Sequence, residues 1–316
     1  MSYSVIRREN KDLKKLFYLF FAFLLLAGCA STAAYREPVT RFQQASTIVI
    51  EGARVEYKMA NKRERDAFID SHVDRRQEIH LSELKDKEII ILDDKALAVR
   101  MAALDALSKH AQLLLTLASS DAPTRARDAA NSLDDALVAL STSIGDNPSD
   151  ELTRKAHGFT AIAAEVTKLA LEAKIQQALD KAISLSENDV ISLMRLLKND
   201  LGNLYEREKS HLSAARVSAT TNYNDEVRKP HPNPEKLQRA ALAIKNTEDA
   251  YENLSLAGGT LSGLDAMADA HRKLVEYAKS SKKPQDLAEL VEATDAFVTR
   301  AKVIGDAIKT IQQTKE

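Results

Sequence analysis

The chain has 316 residues, with 45 Lys and Arg against 46 Asp and Glu, a net charge of −1, and 44% hydrophobic residues. That balance speaks against a nucleic-acid binder, which shows a basic stripe. A lone cysteine excludes an internal disulfide and a cysteine-cluster metal site, and the length suits one or two domains.

The N-terminus is the most informative stretch. Arg7, Arg8, Lys11, Lys14 and Lys15 outnumber Glu9 and Asp12, and an apolar run follows from Leu16 to Ala27. The run is shorter than the ~20 residues needed to cross a bilayer as a helix. A basic segment, a short apolar segment and small residues at the boundary define a secretory signal peptide. Its end, Leu26-Ala27-Gly28-Cys29, resembles the lipobox of bacterial lipoproteins. The resemblance covers about the first tenth of the chain. It implies cleavage before Cys29 and acylation of its thiol and of the new amino terminus. Ala30 in place of Asp implies transfer to the outer membrane, as a periplasm-facing or surface-exposed lipoprotein. Two or more acyl chains hold a protein at a bilayer stably, whereas one binds marginally. Loss of residues 1–28 removes five basic and two acidic groups, leaving 40 against 44, a mildly acidic mature chain. Half of the Phe residues leave with it and no Trp is present, so the mature core falls to Ala, Leu, Ile and Val.

Residues 29–38 read as a lipidated tether of small and polar residues ending at Pro38, and 39–316 as the folded domain. Between Thr40 and about His80, Phe42, Ala45, Val49, Gly52, Val55 and Met59 recur every three or four residues, which predicts a helix. The β-branched run Thr47-Ile48-Val49-Ile50 leaves a hairpin around Glu51-Gly52 as the alternative. The mixed charges of Arg63-Glu64-Arg65-Asp66 suggest a solvated face. Glu88 to Leu92 reads as a connector or short strand.

Seven helices are expected from Asp93 onward. Asp93 caps the first, with Leu104, Leu107, Ala111 and Leu114 as its seam. Pro123 opens the second, with seam residues Ala126, Ala130, Leu133 and Leu137. Gly145 to Pro148 separates it from a long helix over about Ser149 to Leu185, and Ser186 with Asp189 suggests a capping box for the next, to about Asp225. Lys229-Pro230-His231-Pro232-Asn233-Pro234 cannot be helical and marks a possible sub-boundary at 227–234. Asn233 caps a helix that Gly258-Gly259 ends, Thr260 starts another, and Pro284 opens the last. Short connections between helices with heptad seams predict an all-α, elongated up-and-down bundle, coiled-coil-like, with β structure allowed only before Asp93.

Candidate chemistry is sparse. His72 and His80 are eight residues apart, not the four that would place two ligands on one helix face, and no HExxH occurs. His271 lies in the seam between Met267 and Leu274 and reads as a packed core residue without a second ligand. His157 and His211 lie near polar edges of the long helices. Asp93-Asp94 and Asp134-Asp135 are sequence neighbours that diverge on a helix, so neither is an acid/base couple. Gly258-Gly259-Thr260 could receive an anion at free amides but reads as a helix stop. Gln176, Gln177 and Glu208 interrupt seams as register-fixing polar contacts. No catalytic residue, metal or cofactor is expected. The reading is a non-catalytic scaffold, anchored through Cys29, that binds an envelope protein. A small-ligand or metal-binding module around His271 is the alternative, and an envelope-modifying enzyme the weakest.

Overall fold

The computed structural model describes residues 6–85, 90–119, 123–144, 164–170, 172 and 174–313, with side chains from residue 33 onward except those of 74, 85, 144, 255 and 311–313. Helix α1 spans Ile6–Arg75, α2 Asp94–Ser119 and α3 Pro123–Ile144. A short helix α4 covers 164–170, followed by α5 Ile175–Leu185, α6 Glu187–Val227, α7 Pro234–Lys279 and α8 Pro284–Gln313. One 3-10 turn occupies Glu83–Lys85, and there is no strand among the described residues. The expected all-helical bundle is the observed one, and the hairpin alternative at Glu51-Gly52 is absent because α1 runs through it.

Polar side chains cap three of these helices, α2, α7 and α8. Asp93 Oδ1 accepts from Ala96 N at 2.7 Å, Asn233 Oδ1 from Glu235 N at 2.9 Å and Lys236 N at 3.2 Å, and Asp286 Oδ2 from Lys283 N at 2.9 Å. Each satisfies an orphan amide of a first turn. Helices pack up and down. Arg54 faces Asp105 at 3.6 Å and Asn61 meets Leu92, which sets α1 antiparallel to α2. Lys198 to Asp265 at 2.8 Å and Arg216 to Glu248 at 2.7 Å do the same for α6 and α7. The core is centred on Phe42, Leu104, Leu107, Met267, Leu274 and Phe297, all fully buried.

Four expectations are corrected. First, residues 29–38 are not an unpacked segment throughout: the backbone is helical through Pro38, and Tyr35 is already fully buried in the core. The phenol brings its own hydrogen-bond partner, so a polar-looking segment is packed. Second, the helix placed over Ser149 to Leu185 is interrupted. After 164–170 the chain makes a wide turn in which Lys174 N reaches Leu169 O at 3.0 Å, before α5 begins. Neither Gly nor Pro marks that break. The part of this helix at 149–163, with His157, lies outside the described residues, as does the separator at 145–148. Third, Ser186 does not cap α6. Its backbone is helical and its hydroxyl donates to Ala182 O at 2.6 Å, so α5 and α6 meet at a buried joint.

Fourth, Gly258-Gly259 does not end a helix, because α7 continues from Pro234 to Lys279. The glycines of this region serve close approach. A Cβ on Gly52 would meet Ile304 Cγ2 and Thr260 Oγ1 at 2.8 Å, and one on Gly263 would meet Ile304 Cδ1 at 2.6 Å and Val49 Cγ2 at 2.8 Å. Helices α1, α7 and α8 therefore touch where any larger residue would force them apart.

Beyond the bundle, α6 and α7 extend as a two-helix arm. Between residues 203 and 253 only Ala219 and Glu226 are buried. Arg216 binds Glu248 with both nitrogens, at 2.7 and 2.9 Å, and lies 4.4 Å from the Tyr251 ring centroid. At the tip, Glu226 accepts from Asn233 N at 2.9 Å and Lys229 Nζ at 2.5 Å, so one carboxylate ties the proline-rich turn to the helix it leaves.

Candidate functional site

Polar chemistry among the described residues includes three arrangements that bear on function. The first is where α1 joins the bundle. The Tyr35 hydroxyl donates to Asp180 Oδ1 at 2.6 Å, and Lys282 Nζ lies 2.6 Å from Asp180 Oδ2 and 5.3 Å from the Tyr35 ring centroid. Tyr277 packs edge-on against Tyr35 at 4.9 Å. Burial, the hydrogen bond to Asp180 and its negative charge all push the Tyr35 phenol above its ordinary range, so it remains a donor. Thus the residue six positions after Cys29 is locked to α5 and to the turn between α7 and α8. The side chains of Leu26, Ala27, Gly28 and Cys29 lie outside the described ones; their backbone belongs to α1.

The second is a buried histidine pair. His271, expected to be alone, faces His110 of α2: the two Nε2 atoms are 3.2 Å apart, and both residues are at most 1% exposed. Ser186 Oγ is 3.4 Å from His110 Nε2. Burial pushes the His110 imidazole down to about 4, and burial, His110 and Arg272 in that order push His271 well below its ordinary value. Both rings are neutral at pH 7, so one Nε2 donates and the other accepts. His271 Nδ1 is buried with no hydrogen-bond partner. An orphaned lone pair suits that place better than an orphaned N–H, which puts the His271 proton on Nε2 as donor to His110. A metal-bound imidazole ordinarily anchors its second nitrogen, and His271 does not. At 3.2 Å no ligand atom fits between the rings. The pair is a polar pin between α2 and α7.

The pin is acid-labile. An unfolded histidine takes a proton near pH 6.5, whereas the buried ring resists until about 4. Between those values the unfolded state binds more protons, so stability falls as pH falls, by about 3 kcal/mol for His110 alone. Denaturant melts at pH 7.5 and 4.5 should show this loss in the wild type and not in His110→Leu/His271→Leu. Equal acid sensitivity in the two would contradict it.

The third is an ionic clamp between α1 and α6. Arg63 Nη1 lies 2.6 Å from both Glu56 Oε2 and Glu208 Oε2, and Arg207 holds Glu64 with two nitrogens at 2.7 and 2.9 Å. Glu56 and Glu64 are buried, although the charge run at 63–66 suggested a solvated face. Glu208, expected to make a polar contact from its seam position, makes one with Arg63. Burial pushes its carboxyl up to about 7 against the pull of Arg63, with Glu56 and Glu64 adding repulsion.

The remaining candidates are not brought together. His72 Nδ1 contacts Phe68 O at 3.0 Å, His80 is exposed, and His211 Nδ1 is 3.7 Å from Glu64 at the edge of the clamp. Asp94 and Asp135 are exposed, whereas Asp134 keeps Oδ1 buried without a partner. Gln177 is exposed and Gln176 half-buried. Gly258-Gly259-Thr260 sits within α7, where Thr260 Oγ1 donates to Leu256 O at 2.8 Å, so its backbone is not a free helix start. Sequence reasoning missed His110. Its position three residues after Leu107 and four before Leu114 marks it as a seam residue. Among the described residues no group of three or more His, Cys, Asp or Glu is placed to hold a metal ion, and no helix is long and apolar enough to cross a membrane.

Comparison with protein-family models, with curated proteins and with solved structures found no match to this chain.

Proposed function

We propose that this is an outer-membrane lipoprotein, acylated at Cys29, whose helical bundle is a non-catalytic scaffold that binds another envelope protein. The observation that carries the reading is the interval between Cys29 and Tyr35. Five residues separate the lipobox cysteine from Tyr35, the first buried side chain among the described ones. That interval measures ~9 Å as helix and ~20 Å fully extended. Such a bundle stays beside the bilayer, where an anchored partner meets it at an effective concentration on the order of millimolar. Placing a surface opposite a membrane partner is what so short a link achieves. A soluble enzyme needs no such placement.

The test is contact in the cell. A photo-reactive residue in place of Leu242, exposed on the arm, should crosslink one envelope protein in the lipidated form and lose that adduct in an equally abundant soluble form. Identical adducts from both forms would count against the reading.

A further inference from the structure

The end of the bundle that holds the start of α1 also holds the α5–α6 joint and the turn between α7 and α8. Tyr35 contacts Asp180 and Lys282 there, and Lys279 Nζ lies 2.7 Å from Glu187 at the start of α6. From this end α6 runs alongside α1 in the same direction. Tyr57 reaches Leu197 O, and further along Arg63 reaches Glu208. Its 41 residues bring the arm tip ~60 Å away.

Four cations gather at the near end: Arg36, Lys279, Lys282 and Lys283. The acids beside them are engaged. Lys282 holds Asp180, Lys279 holds Glu187, the backbone N–H of Lys283 donates to Asp286, and Arg41 holds Glu37. That leaves the exposed Arg36 guanidinium and Lys283 ammonium outside any salt bridge among the described residues, with Asp286 feeling the Lys283 charge only at longer range. The backbone from 29 to 35 is helical without a break, so the axis of α1 carries directly into Cys29. A helical link, unlike a coil, transmits direction as well as distance.

We propose that this end is a docking face for the phospholipid headgroup layer of the membrane that anchors Cys29, with Arg36 and Lys283 set against headgroup phosphates. The bundle stands on end and the α6–α7 tip is held away from the bilayer. This rests on the acylation of Cys29 proposed above. Helical spacing puts Arg36 ~10 Å along α1 from the acylated residue, about one Debye length from the headgroup charges.

The chain itself supplies the experiment. Cys29 is its only cysteine, and acylation blocks that thiol, so one introduced cysteine takes a dye uniquely. Lipidated protein carrying Ser281→Cys or His231→Cys would be labelled with a donor and reconstituted in phosphatidylglycerol–phosphatidylethanolamine vesicles with a headgroup acceptor. Strong energy transfer is expected from position 281 and weak transfer from 231. Arg36→Gln/Lys283→Gln should bring the two efficiencies together. Equal, strong transfer from both positions would mean that the molecule lies along the bilayer and would overturn the proposal. So would an unchanged difference in the double variant, since the charges would then not dock. Protein that fails to float with the vesicles would overturn the acylation reading along with the docking face, and flotation separates that failure from the others.

Discussion

Arg63→Ala should destabilise the protein by about 3 kcal/mol, the low end of the range for breaking a buried ion pair, because Arg63 keeps 21% of its side chain exposed. The cost comes from what remains. Glu56 and Glu208, 5% and 17% exposed, would face each other across α1 and α6 with Glu64 nearby and no guanidinium between them. In the native protein burial works against the Arg63 charge, but Glu56 and Glu208 together outweigh it and raise its pKa. The sign of the pH dependence follows from Glu208. Its carboxyl titrates about 7 in the fold against 4.5 unfolded, so its contribution is full below 4.5 and is lost as pH rises through 7. Without Arg63 the buried acids have more reason to hold protons. The penalty of the variant relative to wild type should therefore be larger at pH 8 than at pH 5. Glu208→Gln, which keeps the shape and removes one charge, should cost far less. Paired denaturant melts of the three proteins at both pH values check this, and a pH-independent penalty would show that the clamp is packing and not charge.

Cys29→Ala should abolish lipid attachment. The thiol is the only nucleophile in the chain that can take a thioether-linked lipid, and no other cysteine can replace it. Each buried methylene of an acyl chain contributes about 0.8 kcal/mol, so losing two or more chains removes the lipid anchor. The variant should accumulate as an uncleaved or misprocessed precursor, visible as a higher intact mass and as loss of incorporated radiolabelled palmitate. Wild-type mass and wild-type membrane fractionation in the variant would disprove acylation at this residue.

Periodicity made most of the fold legible. From Leu97 onward each seam keeps a three-four spacing that only a helix satisfies, and the caps at Asp93, Asn233 and Pro284 were visible as residue types in their places. What escaped had physical causes. A glycine pair inside α7 has the same local appearance as a helix stop. The close approach at Gly52 and Gly263 is likewise invisible locally, because Ile304, which packs against both, is remote from them in sequence. The run around Arg63 carries the composition of a solvated face, and only Glu208, 145 residues later, makes it a buried clamp. His110 and His271 are 161 residues apart, so each reads alone as a core histidine and the pair becomes apparent only in the fold. Tyr35 was hidden by small and polar neighbours that look like a tether. Of the proposed site, the lipobox-like Leu26-Ala27-Gly28-Cys29 is a pattern of the sequence itself, whereas the short interval from Cys29 to the core is apparent only in the fold.

The most direct test of a tethered scaffold compares two forms of the protein in a strain lacking the gene. Residues 1–29 would be replaced with a cleavable signal that leaves no lipid, and folding confirmed by circular dichroism of the purified periplasmic product. Lipidated protein should restore the wild-type phenotype, and the folded, equally abundant soluble form should not. Full rescue by the soluble form would contradict the account and shift weight to an activity that needs no membrane.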